Sequence, residues 1–287
     1  MIQTTRRKVR DVRKEVERQM RRRRYRDRLT QDLPWVFGNS FPKSGTNLLR
    51  QVMDGLTRIG PFIDLSDQII VTFDGSTGRK RRQAEILADL DKTRPGDIVS
   101  GHLHATPENV ERLCRPGVVH YFIFRDPRDV VVSHAFYITR MAPQNVHHDY
   151  YTHELDSLAE RLRTSILGRP EIEIEFPDIR GRFELYLPWL EQESVLAVKF
   201  EDLIEDRRPT LERIWNHFCA SGYSMGVSDE QALEAMEISI NPSRSPTFRK
   251  GKTGEWRKHF EEQHISLFKE VAGDLLIQLG YETDLDW

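Results

Sequence analysis

Three short segments carry residue types suited to anion chemistry. The first, GNSFPKSGTNLL, sets Lys43, Ser44, Gly45, Thr46 and Asn47 between an apolar run and a helical pattern. A strand-to-helix turn of this composition offers backbone N–H groups, two hydroxyls and an ammonium at a helix N-terminus, which suits a phosphate or sulfate. It is not a Walker A loop, because Pro42 stands where that loop needs Gly before the Lys. The plainer alternative is a turn with an N-cap. The second segment, YFIFRDPRDVVVSH, delivers Arg125 to the end of an apolar run, with Ser133 eight residues on. A planar guanidinium and one hydroxyl suit a phosphate monoester, and the alternative is an ion pair of Arg125 with Asp126 or Asp129. No acidic residue ends this strand and no carboxylates cluster nearby for Mg²⁺, which disfavours metal-assisted ATP chemistry. The third segment, FRKGKTGEWRKHF at 248–260, has five Lys/Arg, two glycines and one acid. As a loop it is composed to close over an anion, or else to be a solvated basic loop.

These segments need a scaffold, and the periodicity supplies one. LPWVFGNSF reads as a strand, and Leu48, Leu49, Val52, Met53 and Leu56 follow at helical spacing. DIVSGHLH is a second strand with PENVERLC as its helix, VVHYFIFRDP a third with PRDVVVSHAFYITR, and SVLAVKFEDL a fourth with PTLERIWNHFCA. Repeated strand-helix units predict a parallel sheet covered on both faces, with ligands at the carboxyl ends of the strands. Met141 to Pro177, rich in His, Tyr and acids with weak periodicity, is expected to be an insertion or lid. Within it His147, His148, His153 and Asp149 match no metal-ligand spacing. Trp35, Trp189, Trp215 and Trp256 read as packing residues.

The 287 residues are 38% hydrophobic and 31% charged, which excludes global disorder, collagen and fibre, and fits one large α/β domain with an appendage. No apolar run approaches a bilayer span and the first residues lack a secretory pattern, so a cytoplasmic protein is expected. Two cysteines, Cys114 and Cys219, are too few for a disulfide framework or a Cys-rich metal site. Net charge is −2, yet residues 1–30 hold 13 Lys/Arg against four Asp/Glu, leaving −11 on the remaining 257. Residues 1–31 are therefore read as a basic helical arm and 32–287 as the main domain. The arm is expected to be a solvated charged helix, with an anionic membrane surface or an acidic partner as the contact it would make, and no nucleic acid.

Taken together and in order, the three segments resemble the cytosolic-type sulfotransferase family over roughly residues 34–262. The resemblance implies an α/β fold of three layers, a central parallel sheet flanked by helices in the P-loop NTPase-like sulfotransferase arrangement. It implies 3'-phosphoadenosine 5'-phosphosulfate (PAPS) as co-substrate and no metal. By the family's motifs, Lys43, Ser44, Gly45, Thr46 and Asn47 would hold the 5'-phosphosulfate, Arg125 and Ser133 the 3'-phosphate, and Arg249, Lys250 and Gly251 would complete the nucleotide site. The family's base is a His at a strand end in a K-T-H-L-P context, which maps to His102 in S-G-H-L-H, with His104 as runner-up. Ser100 stands where the family commonly has Lys, Leu48 where a Trp stacks on adenine, and Phe200 where the family has Tyr, so adenine contacts are expected partly from Phe200.

The reaction expected is in-line transfer of SO₃ to a hydroxyl, less favourably an amine, with His102 as base and Lys43 neutralising the departing phosphate. The alternatives are a nucleotide or small-molecule kinase and a non-catalytic nucleotide-binding module. The acceptor, whether small molecule, glycolipid or carbohydrate, is expected between the segment from Tyr137 to Tyr151 and residues near Phe73 and Phe176. The tail after Phe260 lacks the family's dimerisation sequence, which leaves oligomeric state open.

Overall fold

The chain is seen here as a computed structural model that describes residues 2–28, 33–170, 174–245 and 251–287, with side chains from residue 12 onward apart from that of Asp67. Arg249 and Lys250 lie outside the described residues. In chain order, α1 (Ile2–Arg24) precedes β1 (Trp35–Ser40), α2 (Thr46–Ile59), β2 (Ile63–Val71), α3 (Gln83–Leu90), β3 (Asp97–His102) and α4 (Pro107–Leu113). Then come β4 (Val118–Phe124), α5 (Pro127–Arg140), α6 (Leu158–Leu167), α7 (Ile179–Glu184) and β5 (Val195–Lys199), followed by α8 (Phe200–Glu205), α9 (Arg207–Cys219), α10 (Asp229–Ser239) and α11 (Glu262–Gln278). The five strands form one sheet in the order β2–β3–β1–β4–β5, each parallel to its neighbours.

Alternation along the strands explains the layering. Val119, Tyr121 and Ile123 of β4 join Val36, Ile98 and Val198 in one core with α2, α9 and α10. Phe122 and Phe124 turn to the opposite face, where Phe37 and Val99 meet residues of α3 to α7 and α11. Because both faces are covered, the strands read in the sequence as continuous apolar runs. All four tryptophans expected to pack are buried.

Two expectations need correction. The segment SVLAVKFEDL is strand only through Lys199, and its last residues begin α8. The arm is helical but not solvated all round, since Arg18 Nη2 reaches Asp97 Oδ1 at 2.6 Å, Lys14 Nζ donates to the Asp64 carbonyl at 2.8 Å and Arg21 Nη1 to that of Thr57 at 2.5 Å. Asp97 opens β3 at 1% exposure, and a carboxylate that deeply buried requires a partner cation. Val12, Val16 and Met20 form an exposed apolar stripe on the described part of the arm. No helix among the described residues is long and apolar enough to cross a membrane.

Candidate active site

The central strand β1 runs between β3 and β4, so the carboxyl ends of these three strands bring Ser40, His102 and Arg125 to one edge of the sheet. The turn from β1 into α2 is conformationally unusual. Lys43 has φ 71°, the one positive φ at a non-glycine among the described residues, and Gly45 has φ 100°. Such a backbone typically costs about 1–3 kcal/mol and clusters at ligand clamps. At Gly45 a side chain is also excluded by space, since a Cβ there would lie 2.6 Å from the Phe200 ring. Ser44 is fully buried and its hydroxyl has no hydrogen-bond partner. A buried polar group left in that state costs about 1–3 kcal/mol. Lys43 Nζ rests 3.7 Å from the centroid of the Tyr137 ring.

His102 ends β3 and is half-buried. Its Nδ1 lies 2.9 Å from the Ser40 carbonyl oxygen and 3.0 Å from Ser40 Oγ, which in turn is 2.9 Å from Thr46 Oγ1. A carbonyl can only accept, so Nδ1 carries the proton and Nε2 the lone pair. Burial, opposed by the bond to Ser40 and reinforced by the Lys43 ammonium, lowers the imidazole below its ordinary value. The side chain is therefore neutral at pH 7. His104 is placed differently. It is buried against Phe73 and Tyr186, with ring centroids 5.6 and 5.0 Å away, and burial pulls it down to about 4.

Arg125 follows β4 and is 8% exposed. The ion pair weighed against an anion-binding role does form, because Nη2 donates to Asp129 Oδ2 at 2.8 Å, and it also donates to the Lys252 carbonyl at 2.8 Å. The guanidinium lies 4.4 Å above the Phe200 ring, while Nε has no partner. Asp129 does more than neutralise. Its two oxygens accept the backbone N–H groups of Gly254 and Trp256, each at 2.9 Å, which ties the third segment to α5. Arg128 adds a second clamp, with its guanidinium 4.1 Å from the Trp256 ring, bonded to both Asp126 oxygens, and 2.5 Å from Glu282. Ser133 is half-buried one turn beyond Asp129 on the same face, and its hydroxyl makes no hydrogen bond among the described residues. Gly251, at φ 59°, opens the described part of the basic loop.

The segment expected to be a lid is ordered by its own chemistry. A π-helical turn at Tyr150–Glu154 precedes α6, which begins with the reciprocal capping box of Ser157 and Glu160, a signal legible in the sequence as S-x-x-E. At its far end Gly168 has φ 74°, and a Cβ there would sit 2.3 Å from the Phe176 carbonyl, so the chain folds tightly back on itself. The histidines go separate ways. His147 packs on Phe176 at 4.5 Å, and the Nδ1 of His148 donates to the Ile138 carbonyl at 2.7 Å.

Ser40 was not singled out from the sequence, and Tyr137 was named only as the start of the segment expected to line the acceptor pocket. Asp129 had a signal, four residues after Arg125 on a helix, but it read only as a competitor for that arginine. Nothing local announces that Ser40 will orient a histidine 62 residues away.

The family model of the sulfotransferase domain matches residues 35–280. Flavonol 3-sulfotransferase of Flaveria bidentis is 21% identical over 275 residues, covering 85% of this chain and 82% of that protein. 3-Alpha-hydroxysteroid sulfotransferase of Cavia porcellus is 27% identical over 178 residues, 57% of either chain. Among solved structures, mouse sulfotransferase SULT7A1 complexed with PAP aligns with TM-score 0.56 at 19% identity, over 86% of this chain and 88% of that one. Retinol dehydratase in complex with retinol and PAP aligns with TM-score 0.57 at 18% identity, over 88% and 86%. The fold is theirs, and the family match spans all five strands and the three anion-suited segments: the chain belongs to the sulfotransferase family.

Proposed function

We propose that the protein transfers the sulfuryl group of PAPS to a hydroxyl by in-line displacement, with His102 as the general base. The observation that carries this is the tautomer of His102: Nδ1–H is committed to the Ser40 carbonyl at 2.9 Å, which leaves Nε2 basic beside a strained, buried oxyanion cradle. The residues present fit the nucleotide. Lys43, the Ser44 and Thr46 hydroxyls and the N–H groups of Gly45 and Asn47 hold the 5' side, and Arg125 with Ser133 holds the 3'-phosphate. By the family's motif Arg249, Lys250 and Gly251 would complete the nucleotide site, and Phe200 supports the site by packing between Gly45 and the Arg125 guanidinium. When bound, PAPS supplies an activated SO₃ on a phosphate leaving group. His102 Nε2 removes the acceptor proton, and the Lys43 ammonium, released from Tyr137, stabilises negative charge on the departing side.

The test has a binding and a turnover arm. Adenosine 3',5'-bisphosphate (PAP) should raise the melting temperature in EDTA, and labelled sulfate should pass from PAPS to phenol or alcohol acceptors but not in His102→Ala. No thermal shift at saturating PAP, or transfer that requires ATP and Mg²⁺ instead, would overturn the reading.

A further inference from the structure

The nucleotide chemistry leaves one cation unexplained. Arg182 on α7 is half-buried and its guanidinium stacks 4.6 Å from the Phe176 ring. Its hydrogen bonds go to backbone carbonyls alone, from Nη2 to Ser165 and from Nε to Asp178 at 3.4 Å. No carboxylate pairs with it among the described residues. The nearest in electrostatic reach, Asp178, is already spent as the N-cap of α7, accepting from Gly181 N at 2.7 Å. Burial pulls this guanidinium down to about 10, outweighing the opposing influence of Tyr151 and Asp178.

Its position relates it to the transfer centre. Phe183, the next residue, stacks on Phe41 with centroids 3.7 Å apart and planes at 14°, and Phe41 lies two residues before Lys43. His134, whose Nδ1 is 3.0 Å from Ser165 Oγ, is within electrostatic reach of both cations, since Arg182 and Lys43 each help lower its pKa. Arg182 itself packs on Phe176 and Ser165, which belong to the segment expected to be a lid and not to the nucleotide loops.

Resting on the sulfotransferase reading above, we propose that Arg182 binds an anionic group of the acceptor, so that the preferred substrate is a hydroxyl compound carrying a carboxylate, or a chemically equivalent phosphate or sulfate, at its far end. A planar guanidinium with one edge on backbone carbonyls still presents N–H donors for bidentate recognition. Phe176 covers one face of the guanidinium and desolvates that side.

The test uses the whole protein saturated with PAP. Calorimetric titration compares two pairs that differ only in charge: 3-(4-hydroxyphenyl)propionate against its amide, and 12-hydroxydodecanoate against its amide. The expected result is at least tenfold tighter binding of the carboxylate in one pair, lost in Arg182→Met and largely kept in Arg182→Lys, with PAP affinity unchanged in both variants. Equal affinity within both pairs, or a preference that survives Arg182→Met, overturns the proposal. So does weakened PAP binding in Arg182→Met, which places the arginine in the nucleotide site, and so does an equal loss of turnover on charged and neutral acceptors, which assigns it to the sulfuryl group. If wild-type protein does not bind PAP at all, the sulfotransferase reading falls and takes this one with it.

Discussion

The two sides of the site handle buried charge in opposite ways. On the nucleotide side, among the described residues, Arg125 has Asp129 at 2.8 Å, and Arg128 has Asp126 and Glu282. Asp129 also accepts the backbone N–H groups of Gly254 and Trp256, so its charge pair doubles as a fastener for the basic loop, while Asp126 accepts from Arg128 N at the start of α5. On the lid side Arg182 has only carbonyls, and the neighbouring imidazoles of His134 and His147 are held neutral by burial. A surface prepared for a nucleotide of invariant charge can be cross-linked in advance. A surface left electrically uncompensated is one where the ligand completes the balance.

The comparison can be broken most forcefully at the line between the halves. His102→Ala should lower turnover by about 10²–10⁴ while PAP affinity stays within a few-fold, because the imidazole acts on the acceptor proton and not on phosphate. Initial rates beside PAP titrations decide it, and a parallel loss of PAP binding would move His102 into the nucleotide half. The same group sets the acid limb of the rate profile. With its pKa lowered, turnover should be flat through neutrality and fall only below about 6.5.

Next comes the fastener. Asp129→Ala leaves Arg125 buried without its carboxylate and frees the N–H groups of Gly254 and Trp256, so a loss of about 3 kcal/mol in unfolding free energy is expected together with weaker PAP binding. Denaturant titration that shows no change would mean that the loop is held elsewhere.

Acid should then separate the halves. His147 titrates near 4 in the folded chain and near 6.5 unfolded, so the unfolded state binds more protons between those values. The stability it contributes is complete above about 6.5 and declines as pH falls, by about 1.4 kcal/mol per pH unit down to its folded pKa. His134, also lowered, acts in the same direction. Hydrogen exchange or limited proteolysis at pH 5 should open the lid before the cradle, and His147→Phe should flatten the slope. The smallest effect is expected from Ser133→Ala, about tenfold in PAP affinity, the worth of one hydrogen bond to a charged group.

What the sequence made legible followed from physical regularity. The central strands β1, β3 and β4 are covered on both faces, so their apolar runs were unmistakable, and the anion-suited residues sit at their carboxyl ends as parallel sheets dictate. β2 escaped notice because it is an edge strand, interrupted by polar Asp64 and Ser66 and by a register shift between Asp64 and Ile69. The docking of α1 escaped for another reason. Arg18 looks like any other arginine of a basic run until the fold brings Asp97, 79 residues away, beneath it. Arg182 likewise carries no motif, and its lack of a carboxylate partner among the described residues exists only in three dimensions.

One helix serves both halves. Asp129 and Ser133 lie along one stripe of α5, and His134 and Tyr137, three residues apart, lie along the next. The first stripe faces the fasteners of the basic loop, and the second faces Ser165 and Lys43. In the proposed reaction, donor and acceptor are thus kept in angular phase by residue count along a single rod. An inserted residue between Ser133 and His134 turns everything downstream by about 100°, and would leave each half intact yet aimed past the other.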